Sequence, residues 1–147
     1  MASFNFTNLT RHYANGAVKF DGSQTFKVLL VSSVPTTTET TGNQDAWVNR
    51  SDVTGEVTGT GYTAGGVAVT VTVGTVDTTN NRTPVTFTNL APGWTTSTIT
   101  AVAAIIYKST GTAATDKLIC MIDFGGTVSS TAGNYNVTFA TPLYINR

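Results

Sequence analysis

Residues 98–107 read TITAVAAIIY and residues 117–124 read KLICMIDF, and these two stretches decide the fold. Each is apolar at consecutive positions, so a strand built from either carries apolar side chains on both faces. Such a strand belongs inside a sheet that is covered on each side. Isoleucine, valine and tyrosine favour the pleated backbone. The polar stretch STGTAATD at 109–116 supplies the glycine and small hydroxyl residues of a connecting loop.

Upstream, residues 25–34 (TFKVLLVSSV) put Phe26, Val28 and Leu30 on one face and Leu29 and Val31 on the other, a third strand of the buried kind. Residues 67–73 (VAVTVTV) differ: Val67, Val69, Val71 and Val73 share one face, with Ala68, Thr70 and Thr72 opposite. That alternation predicts a half-solvated antiparallel strand. A polar turn at 78–82 (TTNNR) leads to Val85 and Phe87, which continue the alternation as the second arm of a hairpin. Residues 136–140 and 143–145 close the sheet. Seven or eight short strands without βαβ alternation predict an all-β fold, an antiparallel β-sandwich or jelly-roll-like single domain. A short helix is expected near residues 13–20 or 45–52, the second carrying Trp47. Residues 35–44 (PTTTETTGNQ) read as a polar loop. Residues 1–13, with Phe4, Phe6 and Leu9, read as a first strand or an arm docked on a neighbour, and residues 14–147 as one β-domain.

Composition agrees. Of 147 residues, 31 are threonine and 16 valine, residue types that suit half-buried pleated surfaces. Charged residues make up only 11%, against roughly 25% in an average soluble domain. Eight bases balance eight acids, which leaves little with which to neutralise a phosphate backbone, so no nucleic acid is expected as a partner. The longest apolar run, AVAAIIY at 101–107, is far short of a membrane-spanning helix, and residues 1–8 (MASFNFTN) lack the pattern of a secretory leader, so no membrane partner is expected.

Catalytic chemistry has few carriers. His12 is the only histidine, which leaves no two-histidine metal site and a single candidate base beside Arg11; an ordinary surface or interface residue is expected. Cys120 lies within an apolar strand and reads as a buried structural thiol. No carboxylate spacing points to a metal loop or a glycosidase pair, so no catalytic, cofactor or metal residue is assigned. Asp123 is expected to hydrogen-bond turn amides at Gly125 and Gly126. The cluster GTGYTAGG at 59–66 lacks the GK[ST] of a phosphate loop and reads instead as a tight bend anchored on the sheet by Tyr62. Trp47 and Trp94 read as core or interface residues, with stacking on sugar as the competing use.

Three stretches carry a resemblance: EVTGTGYTAGG at 56–66, IYKSTGTAAT at 106–115 and LICMIDFG at 118–125. They resemble, in matching order, segments of a family of small tailed-bacteriophage virion proteins, typically EVSGTGYTAGG, then VIYKDTGTAATSPLI, then YIDFG. The strand FKVLLVSS at 26–33 and the acidic-aromatic residues near Asp45 to Trp47 fall where that family has a KVALLTS strand and a similar segment. The chain departs from the pattern in its lower charge, in Ser109 where an acid is common, and in the length of its Thr-rich loop. The resemblance implies a non-enzymatic capsid decoration or cement protein on the exterior of the virion. Its partners would be the major capsid protein and copies of itself, a trimer being expected, with assembly in the bacterial host cytoplasm. Phe4, Phe6, Leu9, Trp47, Tyr62 and Trp94 are the candidate interface residues. The competing readings are a tail, neck or fibre-associated virion protein, and a carbohydrate-binding module using Trp47, Trp94 or Tyr62.

Overall fold

Three strands form the centre, and their burial follows from the double-faced apolar pattern: β2 (Thr25–Val31), β6 (Leu90–Ser109) and β7 (Lys117–Val137). The structure is a computed structural model that describes residues 4–34 and 47–146. The expected loop at 35–44, residues 45 and 46 of the expected turn, and the side chain of Phe4 lie outside the described residues. The chain adds β1 (Phe4–Asn5), a helix α1 (Asn8–Ala14), a 3-10 turn (Arg50–Asp52), β3 (Val67–Val69), β4 (Val71–Val73), β5 (Arg82–Phe87) and β8 (Leu143–Asn146). Two antiparallel sheets result, ordered β1-β7-β6-β2-β3 and β4-β5-β8, in an all-β, sandwich-like domain.

Phe26, Val28 and Leu30 of β2 and Ala104 and Ile106 of β6 face Val85, Phe87 and Leu143 of the smaller sheet. The opposite face, with Leu29, Val31, Ile105 and Tyr107, is covered by Phe6 and Trp47, whose rings stack 6.5 Å apart. The β6–β7 ladder steps from Ile106↔Cys120 to Tyr107↔Leu118, so Ile119 is an extra residue, and Ile119 and Cys120 both enter the same core. Further along, Ala101 pairs with Val128 and Ala103 with Asp123. One residue of β6 therefore opposes the four residues 124–127. Asp123 accepts from the Gly125 amide at 2.8 Å within this bulge, as its position beside the glycines predicts.

Beyond the bulge the β6–β7 ribbon turns sharply. Thr96 and Ala132, near-opposite residues, have φ of 48° and 47°, uncommon for side chains other than glycine, asparagine or aspartate. Buried Ser97 stitches the corner through the Gly133 carbonyl at 3.0 Å and the Ser130 hydroxyl at 2.7 Å. In consequence the Tyr135 hydroxyl donates to the Val128 carbonyl at 3.4 Å. In a straight strand, residues seven apart would be about 23 Å from each other.

The structure changes several expectations. The helix lies at Asn8–Ala14 rather than 13–20, because Asn15-Gly16 ends it: the Asn15 and Gly16 amides bond back to Arg11 and Tyr13, with Gly16 at φ 72°. In the second place, among the described residues, a 3-10 turn forms at Arg50–Asp52. Of the two readings of the N-terminal residues, the first strand is the one that forms: β1 lies on this chain's own sheet, Phe4 opposite Met121 and Asn5 opposite Cys120. The expected single strand at 67–73 is two strands in two sheets. The Thr70 carbonyl accepts from Thr88, which carries the chain from the β2 ladder into the β5 ladder. His12 is enclosed, not at the surface. Among the described residues, no helix is long and apolar enough to cross a membrane.

Candidate functional site

Two of the segments that carry the resemblance, 56–66 and 106–115, meet in one polar lock, built on Tyr62. Its hydroxyl donates to Glu56 Oε1 at 2.9 Å and accepts from the Leu30 amide at 3.1 Å. Glu56 Oε1 also accepts from the Gly65 amide. The glycines around Tyr62 permit this fit. A Cβ at Gly61 would stand 2.8 Å from Ser97 Cα, and one at Gly66 would overlap the Val28 carbonyl. The loop thus lies flat on the sheet, as the bend predicted from GTGYTAGG requires.

Tyr107, from the second segment, reaches the same loop: its hydroxyl donates to the Gly65 carbonyl at 2.6 Å. The Arg50 guanidinium sits 5.5 Å from the centre of the Tyr107 ring and bonds through Nε to Asp116 Oδ2 at 2.8 Å. Asp116 is 1% exposed, and its other oxygen accepts from the Thr110 amide at 2.6 Å and hydroxyl at 2.9 Å. Backbone bonds from Arg50 to Asp116, Ser51 to Ala113 and Leu118 to Val48 hold the 3-10 turn against the β6–β7 connection.

The ionisation of these groups suits holding rather than proton transfer. Burial pushes Tyr62 up and Tyr107 up to about 12, so both stay neutral near pH 7. Burial alone would raise Asp116, but hydrogen bonds from Thr110 and Arg50 outweigh it and keep the carboxyl below its ordinary range. Bonding to Asp116 raises Arg50. The lock therefore offers two neutral hydroxyls and a permanent ion pair at neutral pH. Cys120 is buried, its thiol pushed by burial up to about 12. Among the described residues no group of three or more His, Cys, Asp and Glu gathers.

The candidate interface residues fall differently from expectation. Phe6, Leu9, Trp47 and Trp94 are between 1% and 8% exposed and belong to this chain's own core, so they offer no surface for docking or for stacking on sugar. Their apolar rings and side chains bury more area inside the domain than a surface position would allow. Tyr62 is half-buried against Trp94, ring centres 5.5 Å apart. The side chain of Phe4 lies outside the described residues. Among the described residues, the large apolar ones that do face solvent are Tyr13, Val73, Val76 and Val128. Tyr13 and Val73 flank a groove of about 500 Å³ that also takes in Phe20, Val85 and Ile145. Sequence reading missed Val73 because the alternation runs unbroken through the switch of sheets at Thr70. Compared with known proteins, the chain matches no family model, no curated protein and no solved structure.

Proposed function

We propose that this chain is a bacteriophage virion structural protein that decorates and stabilises the major capsid lattice from the outside, as a homo-oligomer such as a trimer. The observation that carries the reading is the pair of segments EVTGTGYTAGG and IYKSTGTAAT, joined here by the bond from the Tyr107 hydroxyl to the Gly65 carbonyl. Glu56, Tyr62, Gly65 and Tyr107, which help fasten this fold together, lie in the segments that resemble the virion family, which supports kinship of fold; the role follows from the resemblance. A chain with balanced charge and many threonines supports it further, since crowded copies on a lattice then repel one another little. Many modest contacts acting together supply the affinity. Purified particles analysed by quantitative mass spectrometry and a low-resolution map test the reading. Hundreds of copies spread over the head support decoration; a few dozen at a vertex or tail replace it with a tail, neck or fibre role. Absence from the particle overturns both.

A further inference from the structure

His12, the chain's single histidine, lies on the inner side of α1 with 2% of its surface exposed, and its Nε2 has no hydrogen-bond partner. The charged groups that act on the ring are both cations, Lys117 of β7 and Arg11 of α1 itself. The backbone of Val48 is its one favourable contact for a proton. The other charged groups of the packed segments are committed elsewhere. The Lys117 ammonium donates to Asn49 at 2.6 Å, and Arg50 pairs with Asp116. Asp52 accepts from the Val48 and Asn49 amides.

The segment that carries this ring is held chiefly by side-chain packing. Helix α1 has seven residues, well under the length at which a helix is stable alone. Strand β1 contributes two residue pairs to the sheet, and the Phe6 amide adds one bond to the Ile119 carbonyl at 3.0 Å. The anchors are the buried side chains of Phe6 and Leu9, one in each core cluster.

We propose that His12 makes the docking of residues 4–14 acid-labile: protonation of the enclosed ring releases the β1–α1 segment from β7 while the rest of the sandwich stays folded. Burial above all, then Lys117 and Arg11, hold the ring below its ordinary pKa of 6.5. The docked segment thus binds fewer protons than the released one. Docking is complete above about pH 6.5 and weakens as the pH falls below it. Asp116, Asp21 and Asp77 all titrate below their ordinary range, so these three stay charged across this window. Release uncovers Phe6 and Leu9 and unpairs the edge of β7 at residues 119–121.

Two measurements on the intact chain test this. A histidine-ring NMR titration reads the one imidazole directly; a midpoint below 6.5 is expected, and one at or above 6.5 overturns the proposal. Amide exchange, corrected for intrinsic rates, is then compared between about pH 7 and about pH 5. Protection over residues 6–14 is expected to fall by more than any change seen in β2 and β6, which hold. In His12→Asn, which keeps a polar group near Val48 but does not titrate, the fall is expected to vanish. Unchanged protection, an equal loss in every strand, or the same loss in the variant overturns the proposal. If the variant does not fold, the wild-type titration and its segment-by-segment exchange decide the matter.

Discussion

A Cβ at Gly66 would overlap the Val28 carbonyl, whereas one at Gly126 would meet nothing within 4 Å. Gly66 also has φ of 68°, and Gly126 does not lie in the left-handed region. Gly66→Ala is therefore expected to cost more than about 4 kcal/mol, the scale of exceptional, diagnostic destabilisation, and Gly126→Ala less than about 0.5 kcal/mol. Chemical denaturation of the two variants checks this, and similar losses would count against the flat-lying loop. At this scale the sequence was partly legible. Tyr62 amid glycines was readable as an anchor, since only glycine tolerates such close approach of backbone to backbone. Its partners were not. The Tyr107 bond spans 42 residues of sequence and the Arg50–Asp116 pair spans 66, and no local pattern encodes a separation of that kind. His12 reads as a surface residue for a related reason: a polar residue next to arginine looks exposed until the helix face that carries it is known.

At the scale of elements, legibility followed the number of consecutive apolar residues. β2 and the central parts of β6 and β7 announce themselves because both their faces are buried. Helix α1 was displaced because seven residues give too short a period to outweigh a turn signal. The bend at Thr96 and Ala132 was invisible, since neither residue type signals a positive φ. The first element offers the clearest test. Because Phe6 is 1% exposed and packs on Trp47, Phe6→Ala is expected to lower stability by about 3–5 kcal/mol. Denaturant unfolding followed by circular dichroism measures it. A loss below about 1 kcal/mol would mean that β1 is a detachable arm and not part of the core.

For the whole molecule, the two tryptophans report opposite faces of the same central strands, Trp94 in one core cluster and Trp47 in the other. β2 contributes Val28 and Leu30 to one cluster and Leu29 and Val31 to the other, so one strand is shared by both faces. In Trp47→Phe and Trp94→Phe, each with one remaining indole, the fluorescence midpoint is expected to coincide with the circular dichroism midpoint of the same variant, as two-state unfolding requires. Separate midpoints would show two independently melting layers. The passage of residues 67–73 from β2 to β5 without an intervening loop bears on how the domain carries load. Tension applied to either sheet is handed to the other along covalent bonds through Thr70, not across a greasy interface that can slide. Prising the layers apart demands that two ladders be unzipped in sequence from a shared thread, so the sandwich resists peeling at that margin as a hem resists fraying.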